Sequence, residues 1–486
     1  MATVTERLEK VIEEEAPAWG VRPTTPEVRR LRGLDFAVLW GDLGIGLLVL
    51  VAGALLVPAL GLREALLAIL LGSVLGCVPL ALVGVAGARE GLPGMVLLRP
   101  TLGTRGSYLP TVLNIAQLIG WTAFEFWAMA LVASRITGPI FGVDSFFIWL
   151  GVVAGVCLLL SLGGPILVVR RWMERFGAWV LAGVALWITV RVLVAVDLGS
   201  LWAVPGKGGF PTFWGGVDLV IAMPVSWIPL VADYNRFARR GTRSAGGTYG
   251  GYLLANVWFY SLGALLVLGA GASAPSVTGV AAGIVALAGG TIVLIALLVG
   301  ETDEAFADIY SAAVSTQNLV PRLGQRVGVV IVSGLGVGLA AWLFGLPGEG
   351  VQSYEFFLFL IGSVFVPLFG VFLADYFVLR RGRRYRAEVL FDGHGPYRYA
   401  GGFNVAAIGA WVVGFGVYHW IAPTPLGGWQ RGVETFFAGL GLPFPLFGGE
   451  APASVVAFAA AFLAYLSLGI VPGISRRSRE VTEEAP

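Results

Sequence analysis

Four carboxylates crowd into eight residues of the stretch "VGETDEAFADIYSA" (Val299 to Ala312): Glu301, Asp303, Glu304 and Asp308. Two more acids stand alone in apolar surroundings, Asp42 in "LWGDLGIG" and Glu125 in "GWTAFEFWAM". An ionisable side chain inside an apolar segment is a candidate for holding an ion or a polar ligand, because burying it for nothing is expensive. On a helix, Glu301, Glu304 and Asp308 fall at i, i+3 and i+7 and share one face, while Asp303 turns away from it. Glu125 lies one helical turn beyond Trp121, so an acceptor and a flat aromatic ring face the same way. Within that segment the nearest cation, Arg135, is ten residues off, about 15 Å along a helix, too far to pair.

Composition decides what kind of chain holds these acids. Of 486 residues, 57% are hydrophobic and 13% charged, with a mean hydropathy of +0.82. Soluble domains carry about 25% charged residues; this chain cannot cover a water-facing surface and reads as an integral membrane protein. A net charge of +2 points to no nucleic-acid partner. Cys77 and Cys157 sit in apolar runs and read as buried free thiols. The N-terminal stretch lacks the apolar core of a cleavable signal and reads as a short charged helix.

A helix crosses the hydrocarbon core with about 20 apolar residues. Twelve such segments start near Asp35, Arg63, Tyr108, Ser145, Glu174, Phe213, Thr248, Gly289, Val327, Ser353, Phe403 and Ser454. No barrel-like alternation is present, and backbone amides in lipid must be satisfied within each segment, so an all-α membrane protein is expected. With the N-terminus inside, the cytoplasmic segments hold 27 Lys and Arg and the outer loops 5. That asymmetry obeys the positive-inside rule and predicts both termini in the cytoplasm of a multi-pass cell-membrane protein.

Two segments carry helix breakers. The first has Gly41, Gly44 and Gly46 around Asp42; the sixth has Pro224 and Pro229 bracketing Val225 to Ile228. Unpaired backbone at membrane depth is tolerated where it lines a cavity, and interruptions at matched places in two halves point to a transporter with inverted repeats. The plain alternative is that Gly and Pro are common in membrane helices.

The stretches "GLPGMVLLRPTLGTRGSYLP" (Gly91 to Pro110), "QLIGWTAFEFWAM" (Gln117 to Met129), "ADYNRF" (Ala232 to Phe237) and "FADIYSA" (Phe306 to Ala312) resemble the nucleobase–cation symporter family of cytosine, purine, allantoin and hydantoin permeases. The likeness runs from about Leu34 through the tenth segment. "QLIGWTA", "MPVSWIPL" and "DIYSA" look most like its proposed hydroxymethylpyrimidine branch. The resemblance implies a LeuT-type fold: residues 1–33 a cytoplasmic segment, 34–200 and 201–386 two five-helix inverted repeats, 387–474 two peripheral helices, and 475–486 a cytoplasmic tail.

It further implies a mid-membrane substrate site with contacts from Gly46, Trp121, Glu125, Pro224, Ser226, Trp227, Glu304 and Asp308. Trp121 matches the tryptophan that stacks on the substrate ring, and Glu125 stands where relatives have an amide. Pro224 replaces an aromatic residue at the break, with Trp227 either supplying the second ring face or packing on a neighbouring helix. Asp308 replaces an asparagine. A coupling-cation site would comprise Asp42, the carbonyl of Ile45, Thr302 and Asp303, for Na+ or H+; two carboxylates sharing one site suit either ion. No other cofactor is implied.

Hydropathy alone favours another reading of the acidic run. Val280 to Gly300 is long enough to span, leaving Glu301 to Asp308 as a solvated loop; the family register instead puts Ala272 to Leu287 in an outer loop helix and Gly289 to Thr316 inside the eighth helix. Asp233 and Arg236 read as an ion pair or cap, and "RRGRRYR" (Arg380 to Arg386) as an anchor near anionic lipid. His394 and His419 are placed too peripherally for a proton relay. The expected function is cation-coupled import of a small planar nitrogen heterocycle, hydroxymethylpyrimidine first, then cytosine or purine, then allantoin or hydantoin. An enzyme is disfavoured: "LWGD" lacks the first glycine of the intramembrane aspartyl protease motif, and H-E-x-x-H is absent. A channel fits broken helices with aromatic and acidic side chains less well than a closed binding site does.

Overall fold

The computed structural model describes residues 20–163, 178–269, 274–346, 350–381, 383–392, 395–424 and 426–469, and its regular structure is helical. The charged N-terminal helix, the start of the fifth segment near Glu174, Ala272, His394 and the C-terminal tail lie outside these residues. The principal helices are α1 (Gly33–Asp42), α2 (Leu47–Ala54), α3 (Leu62–Glu90), α4 (Tyr108–Phe141), α5 (Phe146–Gly163), α6 (Ala178–Ala195), α7 (Phe213–Asn235), α8 (Gly241–Gly269), α9 (Val277–Ala286), α10 (Gly290–Leu319), α11 (Gln325–Phe344), α12 (Val351–Leu373), α13 (Val405–Ile421) and α14 (Ala453–Gly469). Among the described residues, seven are long and apolar enough to cross a membrane, and α1 with α2, bent by 61°, makes an eighth. The helices α6, α9, α13 and α14 are apolar but shorter.

Local chemistry sets the ends. Helices α3 and α4 stop at Gly91 and Gly142, whose φ values of 69° and 70° suit a residue without a Cβ. Thr212 caps α7 by accepting the Gly215 amide at 3.2 Å. Asp218, buried on α7, accepts the Ala453 and Ser454 amides at 2.8 and 2.9 Å and so caps a different helix, α14.

The break in the first segment is real: α1 ends at Asp42, the Ile45 amide turns back to the Asp42 carbonyl at 2.9 Å, and α2 restarts after Gly46. The expected break in the sixth is not. Pro224 and Pro229 both lie inside the uninterrupted α7, because dense packing against α3 and α12 holds the helix through its two missing donors. The loop reading of the acidic run also fails. Glu301 to Asp308 form the middle of the 30-residue α10 and are all buried.

Helix α8 holds the broken pair in place by running along both pieces. A Cβ on Gly263 would strike the Leu50 carbonyl of α2, and one on Gly53 would strike the Tyr260 carbonyl of α8. At the C-terminal end of α7, the Asp233 carboxylate accepts the Gly94 amide at 2.8 Å, and Arg236 donates to the Gly20 carbonyl, the Tyr310 hydroxyl and the Asp233 backbone carbonyl. Asp233 is therefore a cap. Arg380 is not a lipid anchor: it is buried and paired with Asp375 at 2.8 Å.

Because overpacking costs about 1–3 kcal/mol or more where backbone cannot move, Gly263→Leu is expected to lower the thermal midpoint in detergent clearly. Gly250→Leu, on the same helix with nothing within 4 Å of its Cβ position, is expected to leave it within about 2 °C. Equal shifts would mean that the α2–α8 approach does not limit stability.

Candidate functional site

The break supplies the first part of the site. A helix start leaves up to four amides without intrahelical partners and carries a partial positive charge. Glu301 of α10 answers both at α2: its carboxylate accepts the Leu47 amide at 2.6 Å and the Leu48 amide at 3.3 Å. Glu304, one turn on, lies against Gly46 so closely that a Cβ there would meet its carboxylate. Asp308, a further turn on, comes within hydrogen-bond reach of Glu125 on α4. The shared face read from the spacing of these three acids therefore points at α2 and α4.

Asp303 projects from α10 elsewhere, as its register requires, and meets Asp42 at the end of α1. Thr302 is buried beside it and donates its hydroxyl hydrogen to the Val299 carbonyl at 2.7 Å, which leaves the oxygen as an acceptor. Ile45 sits in the break three residues after Asp42. Two carboxylates, a hydroxyl oxygen and a backbone carbonyl at a helix break form an all-oxygen set that fits a small cation or a shared proton. No cluster of three His, Cys, Asp or Glu suited to a transition metal occurs among the described residues. A cavity of about 550 Å³ between α1, α6 and α8 runs from Arg32 and Asp35 to Asp42 and Ile45.

On α4, Gln117, Trp121 and Glu125 repeat every four residues and form one strip. Trp121 is 6% exposed and packs edge-on against Tyr354 and Phe357 of α12, with ring centroids 5.9 and 5.2 Å apart. The Tyr354 hydroxyl donates to the Leu48 carbonyl at 3.1 Å, which joins the aromatic cluster to α2. Gln117 donates to the Ser226 carbonyl and to Asn114, both at 2.9 Å. Four polar atoms along the strip have no hydrogen-bond partner among the described residues: Gln117 Oε1, Trp121 Nε1 and the two Glu125 carboxylate oxygens. Buried polar groups are normally satisfied, so such a row marks where a ligand would bond.

The residues expected from α7 behave differently. The Pro224 ring lies against Gly76 of α3. Ser226 spends its hydroxyl hydrogen on the Met223 carbonyl at 2.6 Å. Trp227 donates to the Tyr252 hydroxyl at 2.8 Å and meets Trp40 edge-on at 6.0 Å. Trp227 thus takes the second of its two expected roles, packing on neighbouring helices, and the aromatic neighbours of Trp121 come from α12. Tyr354 and Phe357 went unread because α12 is apolar almost throughout and nothing in it singles them out. Gln117 stood in a quoted motif, and its four-residue spacing from Trp121 was the available signal. His419 is enclosed by Phe359, Phe415 and Trp429, away from these groups.

Loss of the α2 cap gives a direct check. Glu301→Ala strands two buried amides at about 1–3 kcal/mol each and is expected to lower the thermal midpoint more than Glu301→Gln, which keeps one acceptor. A Glu301→Ala protein as stable as the parent would show that the α2 start has another partner.

The fold and sequence have known counterparts. The family model described as "Permease for cytosine/purines, uracil, thiamine, allantoin" matches residues 23–439. The allantoin permease of Bacillus subtilis is 26% identical over 81% of this chain and 84% of that protein. The hydantoin permease of Microbacterium maritypicum is 24% identical over 81% and 82%. The structure of Mhp1, a nucleobase-cation-symport-1 family transporter in a closed conformation with bromovinylhydantoin bound, superposes with a TM-score of 0.76 at 19% identity, over 96% of each chain. With most of its length matched, the chain belongs to the family of permeases for cytosine/purines, uracil, thiamine and allantoin.

Proposed function

We propose that this protein is a cation-coupled symporter that imports a small planar nitrogen heterocycle across the cell membrane. The observation that carries the reading is the strip Gln117, Trp121 and Glu125 facing Glu304, Asp308 and Gly46, with its unpartnered polar atoms beside an aromatic ring. A planar ring stacks on the indole face, while in-plane donors and acceptors meet the carboxylates and the amide. Asp42, Ile45, Thr302 and Asp303 hold the coupling ion, Na+ or H+, at the α1/α2 break. The helices are arranged as two five-helix repeats, 34–200 and 201–386, with two further helices and cytoplasmic termini. The relatives described above concern allantoin and hydantoin, and the family description adds cytosine and purines. These favour rings of that class over hydroxymethylpyrimidine.

Coupling follows from the sharing of α10. Asp303 faces the ion and Glu304 and Asp308 face the ring, so an ion that neutralises Asp42 and Asp303 also lessens the repulsion felt by Glu304. Each ligand then favours the other, and by linkage the effect is reciprocal.

In proteoliposomes containing the full-length protein, labelled cytosine is expected to accumulate saturably under an imposed sodium or proton gradient, with hydantoin and hydroxymethylpyrimidine as competitors. Trp121→Ala is expected to abolish uptake at unchanged protein level, and normal uptake by that variant would remove the proposed pocket. Asp42→Asn is expected to raise the coupling-ion concentration for half-maximal uptake about tenfold, a loss of about 1.4 kcal/mol. An unchanged ion dependence would move the cation site elsewhere.

A further inference from the structure

The charge inventory around Trp121 bears on what the ring must look like. Six acids converge at the junction of α1, α2, α4 and α10: Asp42, Glu125, Glu301, Asp303, Glu304 and Asp308. Glu301 is matched by the α2 amides, and Asp42 with Asp303 forms the ion site. That leaves Glu125, Glu304 and Asp308, buried to 1%, 5% and 1% exposure. The charged side chains acting most strongly on these three are themselves all acidic. Burying a charge is costly unless an opposite one accompanies it, and among the described residues no cation is paired with these three.

Two observations besides the acids point to the missing partner. The Trp121 indole N–H is buried without an acceptor among the described residues, so the site has polar capacity beyond its acids. Trp121, Phe124, Tyr354 and Phe357 also crowd together on the same side, with centroid separations of 5.2 to 5.9 Å. Aromatic faces attract a desolvated organic cation through their quadrupoles. The neighbouring Glu125 and Asp308 carboxylates are acceptor-only groups, complementary to two coplanar N–H groups on one positive carbon–nitrogen unit.

We propose that the substrate is bound as a cation, an aminopyrimidine-type ring whose amidine edge is protonated, with its paired N–H groups on Glu125 and Asp308. The proposal rests on the ring pocket described above and narrows it. A protonated cytosine-like edge meets the requirement: it offers two parallel donors to the acids while the ring keeps its flat face for Trp121. Hydantoin and allantoin lack a basic amidine and offer the acids only neutral N–H donors.

The test uses charge-matched probes with the full-length protein in detergent. Benzamidine is planar and cationic at neutral pH; benzamide is its neutral near-isostere. Titration calorimetry at pH 7 is expected to show benzamidine binding about tenfold or more tightly than benzamide, as charge-assisted hydrogen bonds outweigh neutral ones. Glu125→Gln and Asp308→Asn are each expected to reduce that preference to about threefold or less. Benzamide binding as well as benzamidine, failure of both to bind, or a preference that survives in both variants would overturn the proposal; the first result would mean that Glu125 and Asp308 share a proton and receive a neutral ring. Labelled cytosine binding, measured with and without Trp121→Ala, reports separately on the pocket. If Trp121→Ala abolishes it while benzamidine shows no preference, the pocket stands and only the charge assignment falls.

Discussion

Interrupting a helix inside a hydrocarbon layer exposes amides that water cannot reach, and the rest of this architecture is organised around supplying their partners. Here the partner is a carboxylate from another helix: Glu301 of α10 takes the Leu47 and Leu48 amides at the start of α2. The bond pins α10 against the break at one height, and every other functional contact of α10 follows from that register. Tyr354 reaches the Leu48 carbonyl from α12 and brings the aromatic cluster to the same level. Helix α8 clamps both broken pieces from behind, at a distance that only glycine permits at Gly53 and Gly263.

Using an acid as the internal cap has an electrostatic consequence. The positive end of a half-helix in a transporter is a natural seat for an anionic group of the substrate, but Glu301 already occupies it. What remains is acceptor-rich, with Glu125, Glu304 and Asp308 gathered near Trp121 and Gly46. An acceptor-rich arrangement stabilises cations, in keeping with the proposed coupling ion and substrate edge. The proposed ion and ring sites use residues adjacent along a single helix, which is the shortest physical route between two sites.

Helix α7 plays the complementary part of a rigid wall. Its two prolines cost backbone hydrogen bonds, yet the helix stays continuous because α3, α12 and α14 pack around it and its own side chains bond outward: Asp218 to α14, Trp227 to α8, Asp233 to the Gly94 turn. Its C-terminal end is closed by the segment around Gly20 and Thr24, joined to Arg236 by hydrogen bonds to and from that residue. The broken helix and the proline-bearing helix are therefore unlike in kind, one opened at its centre and the other held shut along its length.

Much of this was legible in the amino-acid order. Apolar length and the distribution of arginine are one-dimensional properties, so membrane residence could be read directly. The spacing of Glu301, Glu304 and Asp308 placed them on one helical face and Asp303 off it, because the α-helical period does not depend on neighbours. Glycines flanking Asp42 announced the α1/α2 break for the same local reason. Other features depended on tertiary packing. Hydropathy counted the acids of α10 against a helix, since it cannot know that the break in α1 and α2 lies beside them to accept Glu301. Pro224 and Pro229 looked like a second break, but whether a proline opens a helix depends on what surrounds it. Tyr354 and Phe357 became neighbours of Trp121, and Trp227 turned toward Tyr252, only once helices distant in sequence were side by side. Local period and composition are set by adjacent residues; partners for buried amides, rings and charges are set by contacts across hundreds of residues, and those only the folded chain decides.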